Sequence, residues 1–332
     1  MVWKKHTLHI DGQKINAVAP EIISVSRSTD IPAFYAQDFM NDLRRGWSEW
    51  INPFNSEKTY ISYENLGAIV FWSKNPDPLF PHLEELDSYN FTYYFQFTLN
   101  DYVKEFFEPN VSPLEKRIAT FVRLSEHVGK NRMVWRYDPI ILGQGLTPKI
   151  IADRIAGIGK RIAAYTEKLV FSFVDIADYR KVRTTLEKLG IFIREPLPDE
   201  MHEIAEAIGE MTAKWCITAA TCGEKEDFST YGISKNKCVD DELLQRLLKP
   251  ENKNLSEFFK RHTAPQLSLF GSAKPEIPRD RGQRGECRCI ISKAFGRYDT
   301  CPHLCVYCYA NSSATTVRQY QNLKNNMKSG LE

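Results

Sequence analysis

The pattern of hydrophobic and polar positions changes period repeatedly along the first two-thirds of this chain. Short apolar runs, β-branched or aromatic and bounded by turn residues, occupy residues 21–26, 67–72, 91–97, 132–136 and 168–173. Each has the form of a buried strand. Residues 191–194 (Ile-Phe-Ile-Arg) are a weaker candidate. Residues 215–220 (Trp-Cys-Ile-Thr-Ala-Ala) read as a late strand, with Cys216 as a small buried apolar residue inside it. Residues 33–45 and 148–165 carry helical spacing instead. Repeated strand–helix units imply a parallel sheet, barrel-like or doubly wound, so the expected class is α/β.

Polar residues cluster where those strands end. Ser26-Arg27-Ser28-Thr29-Asp30 follows the first and Ser73-Lys74-Asn75-Pro76 the second. Gln96 and Thr98 lie in the third, Arg136-Tyr137-Asp138-Pro139 closes the fourth, and Ser172 and Asp175 close the fifth. In a parallel α/β barrel the C-terminal strand ends form the active-site face. Any one of these residues alone would suit a helix cap or a turn. Together, with two cations among them, they fit a ring of ligand-binding groups.

The last third reads differently. Residues 221–241 are loop-like and carry Cys222 and Cys238, and helical patterns follow at 240–248 and 255–261. Residues 262–286, with Pro265, Pro275 and Pro278 among Gly, Ser and Arg, read as an exposed linker. Cys287-Arg288-Cys289, a strand-like Ile290-Ile291, a three-cysteine loop and a closing helix over 311–324 complete the chain. The expected organisation is strand–helix units over 1–220, a metal region over 221–289, and a closing strand, loop and helix over 290–332. At 42% hydrophobic and 26% charged, the composition is that of a folded globular chain. With a net charge of +2 the whole chain is not an obvious polyanion binder, although residues 255–332 hold 12 Lys/Arg against 6 Asp/Glu and could meet nucleic acid or an anionic substrate.

Cysteine carries the chemistry. Cys301, Cys305 and Cys308 stand at x3 and x2 spacing, with Tyr307 before the third. Three thiolates can hold three corners of a 4Fe–4S cube and leave one iron open. A structural zinc site would close its shell with a fourth ligand. Cys222, Cys238, Cys287 and Cys289 make a further four, enough to close a second 4Fe–4S cluster, with zinc as the alternative. His303 reads as a loop residue rather than a ligand. No signal peptide is visible, and no apolar run approaches a bilayer-spanning length. A cytoplasmic chain with reduced thiols, no membrane association and no disulfides is expected.

These residues also match known families. Residues 26–35 (Ser-Arg-Ser-Thr-Asp-Ile-Pro-Ala-Phe-Tyr), 71–76 (Phe-Trp-Ser-Lys-Asn-Pro), 135–140 (Trp-Arg-Tyr-Asp-Pro-Ile) and the cysteine-rich tail resemble an uncharacterised bacterial family, DUF1848. That family in turn resembles the spore photoproduct lyase branch of the radical S-adenosylmethionine (SAM) enzymes. In that branch the three-cysteine loop comes first, followed by Thr-Asp, Lys-Ser and Arg-x-x-Pro strand ends. Here Thr29-Asp30, Ser73-Lys74 and Arg136-Tyr137-Asp138-Pro139 come first and the loop last. The resemblance therefore implies a complete or partial TIM-like barrel of the radical SAM type, circularly permuted. It implies SAM as cofactor, cleaved reductively at the open iron, and an electron donor such as flavodoxin or ferredoxin. Tyr307 would lie beside the adenine, and Lys74 and Arg136 would meet the SAM carboxylate. The Gly-Gly-Glu segment of many relatives is missing, which leaves Ser26, Thr29 or Asp30 for the SAM amino group. A nucleic-acid substrate is suggested only by analogy of fold. The competing expectation is a non-catalytic, metal-stapled nucleic-acid-binding module, which would have no use for an open iron.

Overall fold

The structure, a computed structural model, describes residues 3–52, 55, 57–263, 277–279 and 283–329. Its first half runs β1 (Lys4–Ile10), β2 (Gln13–Ala19), β3 (Ile22–Val25), α1 (Ile31–Phe34), α2 (Ala36–Arg45), β4 (Trp47–Ile51), β5 (Lys58–Ser62), β6 (Ala68–Ser73), α3 (Leu83–Ser88), β7 (Thr92–Thr98) and α4 (Leu114–Val128). It continues with β8 (Met133–Ile140), α5 (Pro148–Ile162), β9 (Lys168–Phe173), α6 (Arg180–Leu189), α7 (Pro198–Trp215), β10 (Thr218–Thr221), β11 (Ile233–Lys235), α8 (Asp241–Arg246), α9 (Lys253–Thr263), β12 (Lys293–Phe295) and α10 (Ala314–Ser329). None of these helices is long and apolar enough to cross a membrane.

Eight strands form one all-parallel sheet in the order β11-β10-β9-β8-β7-β6-β3-β12. The last strand in the chain thus pairs beside the first strand of the sheet, with Lys293 opposite Ile23 and Phe295 opposite Val25. The expected strand at Ile290-Ile291 is displaced. Ile290 donates its N–H to the Val239 carbonyl at 3.1 Å and bridges to Arg279, and the ladder begins at Lys293.

Both faces of the sheet are buried. Ile23, Val25, Ile69, Phe71, Tyr93, Phe95, Trp135, Leu169 and Phe171 pack against α2, α4, α5 and α7. The alternate positions Ile22, Ala68, Val70, Tyr94, Val134 and Val170 face the other way, as strand pleating requires. They are covered by Cys238, Val239, Leu243, Leu255, Phe258, Cys289, Ile290 and Ile291. The cysteine-rich segment therefore fills one face of the sheet and is part of its core. The sheet also curls. Tyr179, after β9, stacks on Tyr309, after β12, at 4.9 Å, although five strand spacings in a flat sheet would span about 24 Å.

A four-stranded sheet, β1-β2-β5-β4, adds to this core. It starts with a hairpin whose two-residue turn, Asp11-Gly12, takes positive φ at both positions, the geometry that Asp-Gly favours. Two expectations need correction. Trp215 ends a helix rather than starting a strand: its ring lies over Gly159 and beside Trp135, so its apolarity serves helix packing. Cys216 caps that helix at φ 55 and is exposed, and β10 begins at Thr218. Residues 191–194 form no strand. Arg194 makes a single bridge to Leu142, and Phe192 is exposed. Most of the expected linker at 262–286 lies outside the described residues.

Candidate metal centres

The loop carrying Cys301, Cys305 and Cys308 follows β12 and lies across the ends of β3, β6 and β7. Asp30, at the end of the turn after β3, anchors it. Its carboxylate pairs with His303 Nε2 at 2.8 Å and accepts from Ser73 Oγ and the Lys74 N–H, both at 2.7 Å. It also caps α1 through the Ala33 N–H. Burial opposes its ionisation, but the His303 contact and these donors hold its pKa below the ordinary carboxylate value. Asn110 binds the Pro302 and His303 carbonyls, the Val306 N–H reaches the Phe107 carbonyl, and the Tyr35 hydroxyl reaches the Thr300 carbonyl at 2.5 Å. Gly296, at φ +103, makes the turn out of β12, where a Cβ would meet Ser26 Oγ at 2.3 Å.

Lys74 points at the same loop. Its ammonium pairs with buried Glu108 at 2.7 Å and lies 5.6 Å from the Tyr307 ring. Glu108 also accepts from the Tyr307 hydroxyl and from Asn100 Nδ2 at 3.3 Å, and Arg117 approaches its second oxygen at 3.8 Å. Burial alone would raise this carboxyl, but Lys74 and Arg117 bring it down to about 2. A cationic strand end calls for an anion, and the anion found beside Lys74 is Glu108. Burial raises all three loop thiols; Cys301 is pushed up to about 12, and Lys74 partly opposes the rise at Cys305 and Cys308.

The four remaining expected ligands come together on the face of the sheet that carries Ile22, Val70 and Tyr94. Cys222 Sγ lies 3.2 Å from Cys238 Sγ, and Cys289 Sγ accepts from the Cys238 N–H at 3.0 Å. Cys287 exchanges a hydrogen bond with Cys289, which holds Cys287 down at about 6. The contact between the two thiols raises Cys222 and lowers Cys238, which Cys289 lowers further. Strand residues fix this group. Tyr94 and Gln96 both donate to the Cys238 carbonyl, at 2.6 and 3.0 Å. Arg136 Nη1 lies 3.0 Å from Cys238 Sγ, and the same guanidinium pairs with Asp138, which accepts from Ser172.

The expected site residues thus divide between two groups. Asp30 and Lys74 meet the three-cysteine loop, which carries Tyr307, and Ser26 lies beside Gly296 just ahead of it with Thr29 bonded to it, whereas Arg136 belongs to the four-thiol group. Glu108, Asn100, Arg117 and His303 complete the first group without having been singled out as its members. The Ser26 hydroxyl accepts from the Ser28 and Thr29 N–H groups at 3.1 and 3.3 Å. Thr29 Oγ1 is buried without a hydrogen-bond partner.

Among the described residues no three or more His, Cys, Asp or Glu side chains stand as a ready-made metal-ion site. The donor sets nevertheless suit the proposed groups. A cube distributes its cysteines over separate irons, so the loop thiols need not converge on one point; all three are half-buried, and each is within electrostatic reach of another. Two thiolates on one tetrahedral zinc would stand about 3.8 Å apart, a small opening of the Cys222–Cys238 pair.

A family model described as a domain of unknown function (DUF1848) matches residues 22–310. The match starts at the first residue of β3 and ends two residues past Cys308, so it spans the parallel sheet and both cysteine groups. No curated protein and no solved structure matches the chain.

Proposed function

We propose that this chain, which belongs to the DUF1848 family, is a cytoplasmic radical SAM enzyme built on a circularly permuted partial barrel. The observation that carries the reading is the placement of the three-cysteine loop. It follows a strand paired beside β3 and is tied across the sheet mouth to Asp30 by His303. Cys301, Cys305 and Cys308 would hold a 4Fe–4S cluster with one open iron. When bound, that cluster supplies the electron that cleaves SAM into methionine and a 5′-deoxyadenosyl radical able to take hydrogen from a substrate.

The chain's own residues bind, orient and exclude water. Tyr307 offers its ring to the adenine, held in place by Glu108. Thr29 contributes the unengaged hydroxyl for the SAM amino group, while Ser26 and Asp30 shape the turn that presents it. Lys74 has donors left over from its Glu108 pair and faces the thiols, so it offsets thiolate charge and reaches toward the SAM carboxylate. Arg136 serves the second centre, formed by Cys222, Cys238, Cys287 and Cys289, as a 4Fe–4S cluster or a zinc ion. A flavodoxin or ferredoxin is the electron donor.

The test is anaerobic reconstitution followed by metal analysis and electron paramagnetic resonance of the reduced protein. Two clusters give about eight irons per chain, and iron near four with one zinc assigns zinc to the second centre. SAM should shift the resonance of the cluster that has an open iron. A spectrum unaltered by saturating SAM overturns the reading.

A further inference from the structure

Arg27, in the turn after β3, is a cation without a counter-charge in contact. Its Nη2 is sealed from solvent and has no hydrogen-bond partner, and the guanidinium lies 5.3 Å from the Trp72 ring. No ion pair involving Arg27 is found among the described residues. A guanidinium nitrogen left this way is costly, because neither water nor protein replaces its lost hydration. Burial works against its charge, yet Cys289, Cys238 and Cys287, in that order, more than reverse the effect and raise its pKa. The Trp72 ring under Arg27 packs against the buried cluster that contains Cys238 and Cys289, and Cys222 and Cys287 pack against the same cluster, so Arg27 lies on the four-thiol side of the sheet.

Charge bookkeeping points the same way. Four thiolates around a divalent ion leave two negative charges. Arg136 touches Cys238, but its charge is taken up by Asp138. Arg284, across the mouth, is taken up by Asp175. Among the described residues Arg27 and Arg288 remain without a carboxylate partner here; Arg288, between Cys287 and Cys289, is exposed to solvent, whereas Arg27 has a sealed, unpartnered nitrogen.

We propose that Arg27 is the charge partner of a metal–thiolate centre formed by Cys222, Cys238, Cys287 and Cys289, donating from Nη2 to a ligating sulfur and setting the affinity of the site for metal. Arg27 is then a positioning residue, unsatisfied in the metal-free chain and satisfied in the loaded one. The inference rests on the metal reading of the four-thiol group and is independent of SAM cleavage.

The test uses the full chain carrying Cys301→Ala, Cys305→Ala and Cys308→Ala, so that bound metal reports on the four-thiol centre alone. Co²⁺ is titrated anaerobically, followed through its thiolate charge-transfer absorption, and then displaced by Zn²⁺ against a chromophoric chelator. Arg27→Gln should weaken Zn²⁺ binding about 10- to 100-fold, the usual cost of removing an outer-shell partner, and Arg27→Lys should restore most of the loss. Thermal melts of the metal-free proteins supply the second readout. Arg27→Gln should melt no lower than its parent, because it removes a half-buried charge with a sealed, unpartnered nitrogen; an arginine with a merely structural role would lose stability and affinity together. Equal Zn²⁺ affinity in the Gln variant and its parent overturns the role of Arg27. So does a Lys variant as weak as the Gln variant. If the parent shows no thiolate–Co²⁺ absorption, or keeps it after Cys238→Ser, the four-thiol centre itself falls.

Discussion

Glu108→Gln should destabilise the metal-free chain strongly, although it alters only one oxygen. Glu108 is enclosed between β7 and α4 and is the anion for two buried cations, Lys74 at 2.7 Å and Arg117 at 3.8 Å. Its pKa of about 2, against an ordinary 4.5, corresponds to roughly 3 kcal/mol of folding free energy. The folded pKa is the lower one, so this contribution is fully present above about pH 4.5 and disappears as pH falls toward about 2. Glutamine keeps the shape and removes the charge, leaving Lys74 and Arg117 buried without it. Breaking a buried pair in this way costs about 3–5 kcal/mol. Urea denaturation at pH 7, under reducing conditions, should show a loss of that size. The gap between wild type and variant should narrow between pH 4.5 and pH 2. Lys74→Met combined with Glu108→Gln should recover part of the loss, because the stranded ammonium is gone. A single variant within about 0.5 kcal/mol of wild type at pH 7, the range of an ordinary surface change, would refute the reasoning.

Other outcomes follow from the same contacts. Asp30→Asn removes the anion that pairs with His303, so the chain should still fold while the iron bound by the Cys301 loop drops, read as lost iron with unchanged far-ultraviolet circular dichroism. Gly296→Ala forces a Cβ to within 2.3 Å of Ser26 Oγ at φ +103; it should cost about 1–3 kcal/mol, and an unchanged melting temperature would contradict the tight turn. Cys238→Ser should remove the metal of the second centre and leave SAM-responsive resonance at the first, as checked by metal analysis and paramagnetic resonance of one sample.

Strand cores were legible because each is a short apolar run that both faces of a parallel sheet require. Runs 67–72, 91–97 and 168–173 fall on β6, β7 and β9 almost residue for residue. Trp215 misled because an aromatic at a helix end has the same local composition as one in a strand, and only the approach of Gly159 separates the two. The Asp11-Gly12 hairpin carried a readable turn signal, but the strands around it expose half of their residues and lack a hydrophobic run. At the site, spacing alone separates the three loop cysteines from the other four. Glu108 gave no such signal: it stands 34 residues from Lys74 in an irregular loop. Arg136 and Lys74 look alike as cations at strand ends. The pleat and the strand register place one against Cys238 and the other against Glu108.

The account stands or falls on SAM turnover by the loaded protein. Anaerobically reconstituted, reduced wild-type chain is incubated with SAM, and 5′-deoxyadenosine and methionine are quantified by chromatography and mass spectrometry. The account predicts equal amounts of both products, abolished in Cys301→Ala, Cys305→Ala and Cys308→Ala alike, because two thiolates leave two irons of a cube without protein ligands. Iron-loaded wild type that leaves SAM intact, or a folded Cys305→Ala variant that cleaves it as well as wild type, would contradict it.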